Sequence, residues 1–199
     1  GIASLAAPGI VLAQNSGPIR IGLLAAKTGP LASGGIDMEL ALAMFLKERD
    51  NTLAGRKVEL IVADTAGVPA TARTKAQELV EKNNVHCMIG PLAAFEALAI
   101  ADYLTEKKVP TLGVAAAEDM TQRHPSPWFV RLTSTSAQCA YPLADYSAKE
   151  LKYKKIVTIA DDFAYGHEMC AGFQSVFEDN GGKIIKKVFT PLAPPAHGG

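Results

Sequence analysis

The sequence predicts an α/β protein with two lobes, each built on a parallel β-sheet flanked by helices. Three observations support this prediction. Short apolar runs alternate with amphipathic helical segments, the connections are short and rich in Gly, Pro and Asp, and the alternation is interrupted once, over residues 120–136. Alternation of this kind is typical of βαβ units with right-handed crossovers, and the interruption is expected to be the connection between two sets of units.

The first lobe is predicted over residues 14–132. Residues 19–26 form a nearly continuous apolar run, which is typical of a strand buried on both faces. The following segment has a helical period that places Met38, Ala41, Leu42 and Phe45 on one face. The remaining strands are predicted at 56–64, 85–90 and 109–116, and the helices between them at 93–108 and along the stripe Ala72, Ala76, Leu79 and Val80.

The second lobe is predicted to begin at residue 133 and to run to residue 190. It comprises a helix at 138–152, a strand at 155–162, a helix at 165–179 and a strand at 183–190. So few strands cannot form a sheet that is covered on both faces. We therefore expect this lobe to be incomplete and the chain to be a fragment, with an irregular tail at 191–199.

The N-terminal residues differ in composition from the rest of the chain. Residues 1–13 are small, apolar and uncharged, and Val11-Leu12-Ala13 before Gln14 has small residues at the spacing of a secretory cleavage site. We interpret them as the remainder of a signal peptide, which predicts a periplasmic, exported protein. The alternative is a frayed N-terminal segment of a cytosolic protein.

The composition excludes several kinds of partner. Of the 199 residues, 48% are hydrophobic and 20% are charged, as in globular proteins. Lys+Arg and Asp+Glu both number 20 and form no basic patch, so no nucleic-acid partner is expected. The three cysteines form no CxxC pair, which supports neither a disulfide framework nor a zinc site. We expect no metal and no cofactor.

The glycine-rich loop at 28–36 does not match a nucleotide-binding motif. It lacks the G-x-G-x-x-G spacing, and Gly35 and Ile36 stand where a P-loop requires Lys and Ser/Thr. Two interpretations remain open. The loop is a flexible turn that opens a helix, or it lines a ligand cleft with Leu31 among the contacts and helix N–H groups facing an anion.

The loops that follow the third and fourth strands are further candidates. Ligands of open α/β sheets bind beyond the carboxyl ends of the strands. Small side chains there let a ligand approach the backbone and supply shape rather than chemistry, although alanine is also common at helix starts. The candidate contacts are Ala93, Ala94, Phe95, Ala115, Ala116 and Ala117.

The run at 159–170 combines two carboxylates, aromatic rings, a histidine and a thiol. The interpretation that we favour is the rim of a cleft, with Tyr165 facing the ligand and Asp161 or Asp162 capping the following helix. Cys170 lies beside an apolar stripe and is expected to be a buried thiol.

Two chemical alternatives remain for the same run. Cys170 with His167 forms a nucleophile and base three positions apart on a helix, but no third group orients them. Asp161, Asp162 and His167 make a poor metal site, because adjacent carboxylates on a strand point to opposite faces.

Four motifs, in this order, carry a resemblance to a known family. They are "IRIGLLAAKTGPLASGG", "GRKVELIVADTAGVPATARTKAQELVEKNNVHCMIGP", "WFVRLTSTS" and "KIVTIADDFAYGHE". With these motifs, residues 19–190 resemble the branched-chain amino-acid type of type I periplasmic substrate-binding protein, the soluble receptor of an ABC importer. The resemblance implies two Rossmann-like lobes, a small-molecule ligand between them, delivery to a membrane permease, a monomer, and a length roughly twice that of this chain.

The departures from the family pattern bear on which class of ligand is expected. Ala94 and Ala117 occupy places where the resemblance implies a serine and a threonine, and the aspartate that grips an ammonium group falls near Ser136 or Ala137. The family's cysteine pair falls at Gly67 and Ala93, so its disulfide is absent.

A buried ammonium group without a carboxylate is heavily penalised. The substitutions therefore favour an aromatic carboxylate over an amino acid, with Ser136 kept as a candidate contact. Arg131, at the end of a predicted strand between the lobes, either supplies positive charge or is structural. A branched-chain amino acid, an enzyme that uses Cys170 and His167, and a sensing domain fused to a signalling module remain alternatives.

Overall fold

The computed structural model describes residues 17–192, so the predicted signal-peptide remnant at 1–13 and most of the predicted tail at 191–199 lie outside the described residues. The strands and helices alternate as predicted. The strands are β1 (Ile19–Ala25), β2 (Thr52–Leu53), β3 (Arg56–Asp64), β4 (Cys87–Ile89), β5 (Thr111–Gly113), β6 (Phe129–Arg131), β7 (Lys155–Asp161) and β8 (Lys183–Thr190). The helices are α1 (Ala32–Lys47), α2 (Pro69–Gln77), α3 (Ala94–Glu106), α4 (Ser136–Lys149) and α5 (Ala164–Asp179).

The strands form two sheets. The six-stranded sheet has the order β2-β3-β1-β4-β5-β6, and all its neighbouring pairs are parallel except β2 with β3. The second sheet pairs β7 and β8 in parallel. The α/β class with parallel sheets and flanking helices is therefore confirmed. We call the six-stranded sheet with α1–α3 the first lobe, and α4, β7, α5 and β8 the second lobe.

The core of the first lobe lies between β1, β4 and the helices α2 and α3. The stripe predicted for α2 is confirmed, because Ala72, Ala76 and Leu79 are buried against Leu24 of β1 and Ile100 of α3. Burial of this apolar face stabilises the helix on the sheet by about 25 cal/mol per Å² removed from water. The helix continues past Gln77 as one π-helical turn at 78–82.

Helix α1 is rotated relative to the face that its sequence predicts. Gly35 and Leu46 are the buried residues, whereas the side chain of Phe45 is 42% exposed and its ring lies 3.8 Å from the guanidinium of Arg49. A Cβ atom on Gly35 would lie 2.0 Å from the carbonyl oxygen of Ala26. The helix backbone therefore closes onto the end of β1 at Gly35, and this contact sets which face the helix buries.

β2 was not predicted, and β6 was predicted only as a strand that ends at Arg131. β2 pairs with β3 through a turn in which Ala54 and Gly55 both have positive φ, as two-residue hairpins require. β6 lies inside the stretch 120–136 that the sequence predicts to be the connection between the lobes, and it pairs in parallel with β5. Three residues are too few to show a strand period, so pairing with β5 rather than local pattern forms β6.

The second lobe packs α4 and α5 on one face of its sheet. Phe177 is fully buried among Ala144, Ala148 and Ile184. Gly172 lets the two helices approach, because a Cβ there would lie 2.6 Å from the Cα atom of Ala137. The other face of the sheet exposes the apolar side chains of Val157, Ile159 and Ile185.

The start of α4 carries a capping box, which yields a stability prediction. The Thr135 hydroxyl accepts from the Gln138 N–H at 3.4 Å, and the Thr135 N–H donates to Gln138 Oε1 at 2.9 Å. We expect Thr135→Ala to lower the free energy of unfolding by about 1 kcal/mol, because one N–H of the first turn loses its acceptor. Urea denaturation measures this change. Thr133→Ala, two residues before the capping residue, serves as the control, and an equal loss in both variants would contradict a capping role.

Candidate ligand-binding site

The loops after β1, β3, β4 and β5 lie at one edge of the six-stranded sheet, because parallel strands end at the same edge. Asp64, the last residue of β3, joins the first two loops. Its Oδ1 accepts from the N–H groups of Lys27 and Ala66, both at 2.8 Å, and its Oδ2 accepts from the Thr28 hydroxyl at 2.9 Å. Burial opposes ionisation of Asp64, but these hydrogen bonds outweigh it and lower the pKa of the carboxyl group.

Leu31 lies between the same two loops. It is the residue before α1, and it is half-buried. Its Cδ1 atom would lie 4.0 Å from a Cβ atom on Gly67, in the loop after β3. Leu31 is thus at the edge where ligands of such sheets bind, and its contact with a ligand stays a prediction.

The alanines of the next two loops pack together rather than lining open space. Ala94, Ala115 and Ala117 are buried in one cluster with Met120, and Ala164 at the start of α5 packs against it. Ala93 is also buried, and Ala116 is half-buried. Their side chains join the first lobe to the second. A ligand at this edge would meet their backbone N–H groups more than their methyl groups.

Ser136 and Arg131 hold the loop after β5, which carries Ala115, Ala116 and Ala117. The Ser136 N–H and hydroxyl both donate to the carbonyl oxygen of Ala116 at 3.0 Å. The Arg131 guanidinium donates to the carbonyl oxygens of Ala115 and Ala117, the latter at 2.5 Å. A further bond joins the Arg131 guanidinium to the Thr121 hydroxyl at 2.9 Å, whereas its Nε atom has no partner among the described residues. Of the two roles open to Arg131, the structural one is therefore supported, since its bonds hold the loop after β5. Ser136 stays a predicted contact, with its hydroxyl free to accept.

Three aromatic rings connect the two lobes at this edge. Phe95, in the first turn of α3, packs its ring edge-to-face on Phe163 with centroids 5.6 Å apart. Phe163, directly before α5, stacks on Tyr165 with centroids 6.1 Å apart. We call these residues the aromatic trio. Burial raises the pKa of the Tyr165 hydroxyl, which keeps it a neutral hydrogen-bond donor.

Phe95 and Tyr165 were predicted from the sequence as ligand contacts, but Phe163 was not. The signal for Phe163 was its position two residues beyond the end of β7, where ligands of parallel sheets bind. Phe163 and Tyr165 also line a cavity of about 560 Å³ between α4, β7 and α5.

The aspartates after β7 do not cap α5, which corrects that part of the prediction. Phe163 precedes the helix, and no side chain caps it. The Phe163 N–H donates to the carbonyl oxygen of Asp161 instead, at 2.9 Å, so the turn is closed by backbone. The Asp162 carboxylate bonds His167 Nε2 at 2.7 Å.

The contacts of His167 also bear on the enzyme alternative. Its ring stacks on Phe189, with centroids 4.0 Å apart, in addition to its bond with Asp162. Cys170 is buried, as predicted, with 6% of its surface exposed. The base that a nucleophilic Cys170 would need is therefore engaged elsewhere.

Glu96 is a second feature that sequence analysis missed. It lies in the first turn of α3 and is 0% exposed. Its Oε2 atom accepts from the N–H of Ala93 at 3.3 Å, whereas Oε1 has no hydrogen-bond partner among residues 17–192. Burial raises the pKa of Glu96, and the nearby charge of Asp64 adds to the rise, while the neighbouring Thr65 hydroxyl and the N–H of Ala93 oppose it. The signal was a single acid inside the apolar run "AAFEALAIA".

A family model described as periplasmic binding protein matches residues 18–197. The chain belongs to the periplasmic binding protein family. The family that the sequence motifs resemble is thereby confirmed. Within residues 17–192 of this binding protein, no group of three or more His, Cys, Asp or Glu side chains is placed to hold a metal ion, and no helix has both the length and the apolarity that a membrane span requires.

Two of the relatives of this binding protein carry different kinds of ligand in their names. The Leu/Ile/Val-binding protein BraC3 of Rhizobium johnstonii is 30% identical over 182 residues, which are 88% of this chain and 48% of BraC3. A solute-binding protein of an ABC transporter from Rhodopseudomonas palustris BisB5, solved with 3,4-dihydroxybenzoic acid, is 34% identical with a TM-score of 0.83, over 88% of this chain and 48% of that one.

A third relative also carries an aromatic acid in its name. It is the solute-binding protein of an R. palustris ABC transporter solved with 4-hydroxybenzoate, at 31% identity and a TM-score of 0.80, again over 88% of this chain and 48% of that one. This binding protein therefore spans about half the length of the relatives it matches. These relatives are named as binding proteins, not as enzymes.

The buried carboxyl group of Glu96 predicts a pH-dependent stability. Because its pKa is raised in the folded state, Glu96 stabilises the fold below its unfolded-state pKa, and this contribution is lost as pH rises through the folded-state pKa. Glu96→Gln is therefore expected to be more stable than the wild type at neutral pH, by about 1.4 kcal/mol for each pH unit between the two pKa values, and equal to it near pH 4. Thermal melts from pH 4 to pH 8 measure the difference. A constant difference at all pH values would contradict the prediction.

Proposed function

We propose that this chain is the ligand-binding part of an extracytoplasmic receptor of an ABC importer, and that it binds a small aromatic carboxylate between its two lobes. The observation that carries the proposal is the aromatic trio, in which Phe95 of the first lobe meets Phe163 and Tyr165 of the second. Aromatic rings prefer edge-to-face or offset stacking partners, so a flat aromatic ligand can replace the contact between Phe95 and Phe163 with contacts of the same kind.

The first turn of α3 supports the carboxylate end of this ligand. The first N–H groups of a helix have no acceptor within the helix and carry partial positive charge, so they favour an anion. Ala93 and Ala94 stand at this turn and are buried where the lobes meet, so an anion would reach their backbone N–H groups when the lobes open. Two structural neighbours were solved with hydroxylated benzoic acids, which is the same ligand class.

A branched-chain amino acid is the second candidate, and the name of BraC3 favours it. The residues of this chain favour it less, because Ala94 and Ala117 have no hydroxyl group to offer and Ser136 stands near the place of the ammonium-binding aspartate. A buried ammonium group without a carboxylate partner is costly.

The mechanism that we propose is closure of the lobes on the ligand. A ligand that contacts both lobes binds the closed state better than the open one, and this differential affinity shifts the population toward closure. The chain between Leu132 and Thr135 joins the lobes and is the expected hinge. In the proposed cycle, the exported, monomeric receptor then delivers the ligand to a membrane permease, without catalysis.

A thermal-shift screen of the complete gene product tests the proposal. Its compounds are benzoate, 4-hydroxybenzoate, 3,4-dihydroxybenzoate, leucine, isoleucine and valine. A ligand that binds only the folded state raises the free energy of unfolding by RT ln(1 + [L]/Kd). We expect stabilisation by at least one aromatic acid at millimolar concentration. A shift with leucine or valine and none with the aromatic acids would overturn the assignment of the ligand.

A further inference from the structure

Glu96 is a buried acid beside the proposed carboxylate subsite. The Glu96 side chain is fully buried. Its Oε2 atom accepts a hydrogen bond from the N–H of Ala93, and its Oε1 atom has no hydrogen-bond partner among the described residues. Ala93 is the residue directly before α3, and Ala94 and Phe95 follow it in the first turn. An anion bound at this turn would lie close to the Glu96 carboxyl group.

The charges around Glu96 do not neutralise it. Asp64, the last residue of β3, lies near it, and hydrogen bonds from Lys27, Thr28 and Ala66 favour the ionised form of Asp64. The ammonium group of Lys27, in the loop after β1, is paired with Glu39 of α1 at 2.6 Å. The remaining neighbours of the Glu96 carboxyl group are uncharged, namely the Thr65 hydroxyl and the Ala93 N–H.

We propose that ligand binding by this protein is coupled to the uptake of one proton by Glu96, so that the receptor binds an aromatic carboxylate together with a proton. This inference rests on the proposed function. An ionised Glu96 would repel the ligand's carboxylate in a site of low dielectric, whereas a protonated Glu96 does not. The bound anion therefore favours the protonated form. Ligand affinity is highest at low pH and falls as Glu96 ionises.

Isothermal titration calorimetry on the complete gene product measures this coupling. For 4-hydroxybenzoate, we expect the Kd to rise with pH between pH 5.5 and pH 8, by up to about tenfold per pH unit within the interval where the free receptor is ionised and the complex is not. Benzamide, which has no carboxylate, is expected to show a much weaker dependence. Titrations in two buffers of different ionisation enthalpy should show net proton uptake by the wild type, and this measurement requires no variant.

Variants assign the proton to Glu96. Glu96→Gln keeps the size of the side chain and is expected to bind 4-hydroxybenzoate with a Kd that does not change with pH and without proton uptake. Glu106→Gln, an exposed Glu at the end of the same helix, is the matched control and should behave as the wild type.

Three results would overturn the inference. The first is a wild-type Kd that is constant over this pH range, without proton uptake. The second is a Kd for 4-hydroxybenzoate that falls as pH rises, since an ionised Glu96 would then not oppose binding of the carboxylate. The third is the same pH dependence in Glu96→Gln as in the wild type. In all three cases the proposed function survives, because an aromatic acid still binds. If no aromatic carboxylate binds at any pH, the proposed function fails and this inference fails with it.

Discussion

Replacement of Phe163 by alanine is expected to weaken the binding of an aromatic acid about 10- to 100-fold. Phe163 is the central member of the aromatic trio and contacts both Phe95 and Tyr165. Burial of a phenylalanine side chain contributes about 1.5–3 kcal/mol, and each 1.4 kcal/mol corresponds to about tenfold in Kd. Titration calorimetry with 4-hydroxybenzoate measures the loss on the complete gene product.

The control for this variant is Phe45→Ala. Phe45 lies on the exposed face of α1, where its ring contacts Arg49. It belongs to no loop at the carboxyl edge of the sheet, so its removal is expected to leave the Kd within twofold of the wild type. Thermal melts of both variants exclude a general loss of structure. A Kd of Phe163→Ala within twofold of the wild type would remove the trio from the ligand site.

Replacement of Gly35 by alanine is expected to lower the free energy of unfolding by about 3 kcal/mol or more. The new Cβ atom would lie 2.0 Å from the carbonyl oxygen of Ala26 and 2.9 Å from its nitrogen. These are backbone atoms at the end of the central strand, and they cannot turn aside as a side chain can. Helix α1 must therefore move off the sheet, which forfeits packing at the buried Leu46 as well.

Gly34→Ala provides the matched control, one residue away in the same helix. Its Cβ atom would meet the Cδ2 methyl group of Leu92 at 2.7 Å, and this side-chain end can rotate. Alanine also favours a helix over glycine by about 1 kcal/mol. We expect urea denaturation to show a change within about 1 kcal/mol for Gly34→Ala. Equal losses in both variants would show that the contact of Gly35 with Ala26 does not position the helix.

The periodicity of apolar residues predicted the secondary structure well for elements that bury one apolar face. The stripe of Ala72, Ala76 and Leu79 predicted both α2 and its buried face, because a regular helix shows its burial in the spacing of its residues. β6 shows the limit, since three residues carry no period and the strand exists only by pairing with β5. For α1 the helix was predicted correctly but its orientation was not.

For the candidate site, too, the sequence predicted some features and not others. The edge of the sheet, and therefore the positions of Leu31, Ala93 and Ala117, followed from the order of strands and loops. The contacts between the side chains at this edge could not be predicted from that order. Phe163 appeared in the sequence as a loop residue, and its place between Phe95 and Tyr165 depends on residues 68 positions apart being brought together across two lobes.

The sequence by itself determined the α/β class, the family and the edge at which a ligand is expected, because each depends on local periodicity or on motifs in their order. Only the tertiary structure decided that α1 turns on Gly35, that the loop alanines pack against α5, and that Glu96 is buried without a cation beside it. The physical reason is that burial, steric approach and electrostatic environment are properties of neighbours in space. Those neighbours are distant in the chain, and the spacing of residues along the chain does not specify them.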